Sequence, residues 1–183
     1  FENFAIKGFY PKLYDIPILP KDYYRDYVST YVERDVRQII NVGNLASLQR
    51  FLQLVAGRVG QLVNLSSLAS DTGVSHRTIE SWISVLEASY LIFRLQQYFQ
   101  NFGKRVIKSP KLYFYDTCLL CYLLGINSPE DLSNHFAVGH IFENMVIANT
   151  LKEIFHSRSS DMLYFFRDNS GLEVDLIIDQ NSI

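Results

Sequence analysis

The chain has 183 residues, enough for one domain or two small ones, and its 48% hydrophobic and 20% charged residues are those of a globular protein with material for a core. No apolar run is long enough to span a bilayer, no secretory leader is recognisable, and two cysteines are too few for a disulfide framework, so a cytoplasmic protein without membrane contact is expected. The net charge of −2 is unevenly placed: residues 1–62 carry +2, residues 63–116 carry +2 and residues 117–183 carry −6. The front two-thirds can meet a polyanion, whereas the last third repels one unless metal ions intervene.

Residues 1–20 hold three prolines, Pro11, Pro17 and Pro20, and the run KGFYPKLYD, which reads as a connector; Phe1 does not look like a natural start. Residues 21–42 follow as a helix with a stripe of Tyr24, Tyr27, Val28, Tyr31, Val32, Val36, Ile39 and Ile40. Residues 44–59 form another, with Leu45, Leu48, Phe51, Leu52 and Val55 inward and Gly57 and Gly60 at its end.

Residues 64–90 are the organising stretch. Leu65, Leu68 and Ala69 make an apolar helical face, Gly73 supplies a left-handed turn, and Ser75 caps a second helix with Ile79, Trp82, Ile83 and Leu86 inward. A small residue, a glycine four later and an apolar residue six after that are the signature of a helix-turn-helix, because the helices must approach closely at the turn. Residues 91–99 then read as a strand, residues 101–111 as a basic loop and residues 112–115 as a returning strand. The sum is a winged helix. Lys104, Arg105, Lys108 and Lys111 are placed on or near the wing as phosphate contacts, with His76 and Arg77 secondary at the start of the second helix. Few base-reading side chains are available, so contact with nucleic acid is expected to be backbone-dominated. The plain alternative is a solvated loop.

Asp116 or Thr117 caps a short apolar helix that contains Cys118 and Cys121; without a second pair, these read as buried free thiols rather than zinc ligands. Residues 139–155 form a clear helix, and residues 163–167 and 172–178 a β-hairpin. Glu143 aligns with Ile147, Leu151 and Ile154 on an apolar helical face, where a charge needs a partner or a metal. Glu173 and Asp175 share one strand face, roughly 7 Å apart. A helix Glu followed by a hairpin whose second strand carries an Asp opens a restriction-endonuclease-like core, in which acids hold Mg²⁺. That chemistry also needs a Glu-x-Lys on a further strand, which these residues do not contain. The alternative is that Glu143 pairs locally, with Arg167 as the candidate, and that Glu173 and Asp175 lie on a solvated face.

The segments KGFYP, YVERDVRQI, residues 50–95, NFGKRVIKSPKLYFYDTCLLCYLLG, GHIFENMVIANTL and YFFRDNSGLEVDLII together resemble the C-terminal portion of bacterial and archaeal P-loop ATPases of the AAA type that carry a C-terminal domain of unknown function. The resemblance implies an ATPase domain before Phe1, which would bind ATP and Mg²⁺, then a winged helix and a restriction-endonuclease-like domain. It implies Glu143 and Asp175 as the metal-binding pair. The expected fold is α+β and mainly helical, with a connector over residues 1–43, a winged helix over 44–116 and the start of a nuclease-like domain over 117–183. No cofactor is expected in these residues themselves. The partners expected are DNA and the ATPase domain, and the leading role is a nucleic-acid-binding or target-recognition region of an ATPase. The alternatives are a protein-interaction module, using the aromatic helix at residues 23–31 and the apolar run at 119–124, and a metal-dependent nuclease completed by a strand beyond Ile183.

Overall fold

The computed structural model describes residues 1–31, 45–98, 109–168 and 170–180, and among these the architecture is mixed α and β, with nine helices and one four-stranded sheet. The N-terminal residues form three short helices, α1 (Glu2–Lys7), α2 (Lys12–Asp15) and α3 (Pro20–Tyr27). They are not a detached connector. Ala5, Leu13, Tyr24 and Val28 are buried in the same core as the rest of the chain, and Tyr10, Tyr23, Tyr24 and Tyr27 pack ring against ring with centroids 5.1–6.1 Å apart. The second half of the expected helix at residues 21–42, beyond Tyr31, lies outside the described residues.

The three helices α4 (Leu45–Ala56), α5 (Leu65–Thr72) and α6 (His76–Ala88) come next. Their inward residues are those that the 3.6-residue spacing selects: Leu48, Phe51, Leu52 and Val55 on α4, Leu68 on α5, and Ile79, Trp82, Ile83 and Leu86 on α6 are all buried. Phe51 meets Trp82 edge to face at 5.2 Å. Asn64 caps α5 by accepting from Ser67 N–H, and Ser75 caps α6 by accepting from Thr78 N–H at 3.1 Å. Between them Gly73 sits at φ 72°, ψ 29°, the left-handed conformation that a side chain disfavours.

The hairpin strands β1 (Ile92–Gln97) and β2 (Lys111–Phe114) are antiparallel, with Phe93 opposite Tyr113. The outer edge of β2 is closed in three ways. Leu62 bridges to Lys111, Gly60 N–H donates to Leu112 C=O at 3.0 Å and Val63 N–H to Pro110 C=O at 2.8 Å. Buried Asn144 then accepts from Phe114 N–H at 2.7 Å and donates to Phe114 C=O at 3.1 Å. Helices α7 (Thr117–Leu123), α8 (Pro129–Ser133) and the long α9 (Val138–Ser157) follow, the second opened by a capping box between Ser128 and Asp131.

The last strands, β3 (Met162–Arg167) and β4 (Glu173–Asp179), form the expected antiparallel hairpin. This hairpin does not stand apart. β3 pairs in parallel with β1 through Gln96 opposite Tyr164 and Gln97 opposite Phe165, which gives the order β2-β1-β3-β4. One sheet therefore runs from the hairpin after the helix-turn-helix to the end of the described chain.

Candidate functional site

Two regions hold the residues that the sequence singles out. The first is the outer face of α6. Its apolar positions face α4 and α5, and the opposite face presents His76, Arg77, Glu80, Ser81 and Ser84 to solvent. His76 and Arg77 lie in the first turn and are both exposed, which is where the sequence places them. Arg58 is not available to a ligand in the same way, because its guanidinium donates to Asp71 and Ser67 and binds the end of α4 to α5. Lys104, Arg105 and Lys108 lie outside the described residues.

Lys111 is a correction. It is not an exposed wing cation: it is the first residue of β2, its side chain is 3% exposed, and its ammonium is held by three carboxylates. Glu173 is at 2.6 Å, Asp175 at 3.0 Å and Glu143 at 3.2 Å. The reason is strand alternation. Lys111 and Tyr113 share the sheet face turned to α9, where the β4 carboxylates also reach the ammonium, and a phosphate cannot reach an amine on that side.

This ion centre is the second region. Glu143, one turn into α9, has its Oε1 shared between Lys111 and the Tyr113 hydroxyl, which donates at 2.5 Å. Its Oε2 lies 3.5 Å from His140 Nδ1. Glu173 also reaches Arg167 at 3.4 Å across the β3–β4 pair. Arg167 therefore partners Glu173 rather than Glu143, and Glu173 and Asp175 do not lie idle on a solvated face. Burial pushes the Lys111 ammonium down, but its bonds to Glu173 and Asp175 and the Glu143 charge outweigh this and hold it above the ordinary lysine value. Burial first, and then the bond to Glu143, push the Tyr113 phenol well above its ordinary value.

Glu143 and Asp175 are thus brought together as expected, but around an ammonium. Among the described residues no group of three or more His, Cys, Asp and Glu side chains is disposed to hold a metal ion. The separations to Lys111 are those of N–H···O bonds, and three acceptors saturate its three donors. Mg²⁺ does not fit this arrangement, so no chemical step is assigned to it.

A further residue organises the N-terminal region and was legible only as a helix cap. Asp116 caps α7 by accepting from Leu119 N–H at 2.9 Å, but it also accepts from the Tyr24 hydroxyl at 2.5 Å and from Phe9 N–H at 3.0 Å. Gly8, at φ 70°, lets the backbone pass this close; a Cβ there would lie 2.7 Å from Cys118 Cβ and 2.9 Å from the carboxylate. Cys118 and Cys121 are both free and buried; burial raises both thiols, Cys121 to about 12.

Comparison of the sequence with known proteins shows its family. The profile of a domain of unknown function, DUF8612, matches residues 1–130, more than half of the chain. The chain belongs to the DUF8612 family. The match runs from α1 through the helix-turn-helix to α8, so in this family the N-terminal helices and the helix-turn-helix fall within one matched unit. The profile of a second domain of unknown function, DUF4143, matches residues 138–183, which contain α9 and the β3–β4 hairpin. Uncharacterized protein Rv2008c of Mycobacterium tuberculosis and uncharacterized protein Mb2031c of Mycobacterium bovis are each 31% identical to this DUF8612 chain over 153 residues. Those alignments take in 84% of this chain and 34% of each relative, so the chain spans about a third of the length of the curated relatives it matches. No solved structure matches. Among the described residues no helix is long and apolar enough to cross a membrane.

Proposed function

We propose that the chain is a nucleic-acid-binding or target-recognition region of a larger ATP-driven protein, contacting the sugar-phosphate backbone more than the bases. The observation that carries this reading is α6. A helix whose start is fixed by Ser75, whose angle to α5 is fixed by Gly73, and whose outer face is polar and uncovered has the form of a helix that lies along a groove. Arg77 and His76 lead that face, and Lys104, Arg105 and Lys108 belong to the stretch joining β1 to β2. Arg77, Glu80, Ser81 and Ser84 are a poor set for bidentate base readout, which favours phosphate contact. The link to an ATPase domain rests on the sequence resemblance and on the greater length of the relatives. ATP and Mg²⁺ belong to that domain in this reading.

The test is charge reversal at the exposed start of α6. Arg77→Glu is expected to weaken binding to a labelled duplex several-fold and to reduce the salt dependence by about one ion. Unchanged affinity in a folded variant refutes a role for α6.

A second reading, contact with a protein partner, has its own observation. Phe136, Phe142 and Val146 are 80%, 50% and 39% exposed and line one open groove with Leu176. The surfaces first expected to serve this role are used internally: Tyr24, Leu119, Leu120 and Cys121 are buried, and Tyr23, Tyr27 and Tyr31 pack on the core. Phe136→Ser with Phe142→Ser is expected to abolish association with an added ATPase domain if this reading holds, and to leave DNA affinity intact if the first one does.

A further inference from the structure

We infer that Lys111 is a built-in cation standing where a metal ion would otherwise be held, so that the centre of Glu143, Glu173 and Asp175 fastens β2 to α9 and β4 and takes up no divalent ion. The inference is independent of the nucleic-acid reading.

Three features carry it. The first is saturation. The ammonium has three N–H donors and three carboxylate partners at 2.6–3.2 Å, each on a different residue. The second is enclosure. The Lys111 side chain is 3% exposed, its ammonium lies 5.4 Å from the centre of the Phe165 ring, and Glu143 is fixed from behind by Tyr113. An incoming cation must displace an ammonium that has nowhere to go, and a buried charge stripped of its partners is strongly unfavourable. A hydrated divalent ion gains carboxylate ligands but leaves that ammonium stranded beside it. The third is charge. The three carboxylates face Lys111 and, through Glu173, Arg167, which leaves one formal negative charge, and Asp175, at 58% exposure, places part of that charge in solvent.

The position of the centre gives it a role. Lys111 belongs to the segment matched by DUF8612, and Glu143, Glu173 and Asp175 to the segment matched by DUF4143. Among the described residues, backbone pairing between the strands of the two segments, β1 and β3, rests on Gln96 with Tyr164 and Gln97 with Phe165. The ion centre is therefore a polar joint between the segments, reaching from β2 across β1 and β3 to β4, over the same strands as that short parallel pairing. Where the resemblance leads one to expect a metal site, the chain has a side-chain cation that ties the returning strand of the hairpin to the C-terminal strands.

The experiment is Mn²⁺ titration of the whole chain, followed by the paramagnetic resonance of free Mn²⁺, together with thermal unfolding of the parent and of Lys111→Met in EDTA and in millimolar Mn²⁺. The parent is expected to leave Mn²⁺ free and to melt at the same temperature in both buffers. Lys111→Met is expected to melt roughly 10 °C lower in EDTA and to recover part of that loss in Mn²⁺, because its three carboxylates are then uncompensated. Stoichiometric Mn²⁺ binding by the parent that Asp175→Asn abolishes overturns the inference. So does a Lys111→Met protein that melts like the parent in EDTA. If Lys111→Met does not fold, the parent titration still decides the metal claim. Asp175→Asn then decides the joint: amide exchange is expected to rise together in β2 and β4, and a rise in β4 alone refutes it.

Discussion

Replacing Asp116 by Ala should be one of the most damaging single changes in the N-terminal half, although Asp116 touches no exposed surface used for binding. The carboxylate is 5% exposed and takes three donors: Tyr24 O–H at 2.5 Å, Leu119 N–H at 2.9 Å and Phe9 N–H at 3.0 Å. Each buried donor left without a partner costs about 1–3 kcal/mol, and loss of a helix cap alone costs about 1 kcal/mol. Removing a buried carboxylate that has no ion-pair partner among the described residues returns part of this, so a net loss of about 3 kcal/mol is expected. Asn in its place keeps the oxygen that Tyr24 and Leu119 share and turns an amide toward Phe9 N–H. It should cost about 1–2 kcal/mol. Urea unfolding measures the difference: with a slope of about 2 kcal/mol/M, the Ala variant's midpoint moves down by about 1.5 M and the Asn variant's by about 0.5–1 M. A shift under about 0.3 M for Ala, or equal shifts for the two variants, refutes the argument that a geometric acceptor at this point holds the N-terminal helices to α7.

Three other outcomes follow from local geometry. Gly73→Ala should cost about 1–2 kcal/mol in the same assay, since φ is 72° and no neighbouring atom lies within 4 Å to add a clash; Gly73→Asn should cost less. The hydrogen bond from Arg58 holds Asp71 below the usual carboxylate range, so its contribution is complete above pH ~4 and is lost as pH falls through its lower folded value. Asp71→Asn should therefore flatten the acid limb of stability against pH and leave the slope between pH ~6 and ~8 unchanged. Cys118 and Cys121, both buried, should be silent to a thiol reagent at pH ~8 until the chain unfolds, when two thiols should react together; a single fast thiol contradicts the burial.

What the sequence could disclose depended on whether a residue's role was set by near neighbours in the chain. The helix-turn-helix was legible because Ala69, Gly73, Ser75 and Ile79 act within ten residues of one another, and the structure places Gly73 and Ser75 as expected. The hairpin of β3 and β4 and the α7 cap were legible for the same reason. Lys111 was misplaced because its neighbours in sequence, Lys108 and Pro110, look like a loop, whereas its partners are 32 to 64 residues away. One local signal did point to it: a glutamate on the apolar face of α9 required a buried cation, and the alternation of KLYF puts Lys111 on the same face as Tyr113. The docking of residues 1–31 was hidden by three prolines that read as a linker, while Tyr24 and Phe9 N–H find Asp116 more than ninety residues later. The parallel pairing of β1 with β3 depends on a crossover of more than sixty residues, which no local pattern specifies.

The measurement that bears most directly on the central claim is the affinity of the parent chain for a short labelled duplex across a salt series, read by fluorescence anisotropy. Arg77 with Lys104, Arg105 and Lys108, and without Lys111, predicts micromolar binding at low salt and a log–log slope of about −3.6. Absence of binding at low salt, or affinity that does not change with salt, contradicts the account and leaves the protein-contact reading in its place.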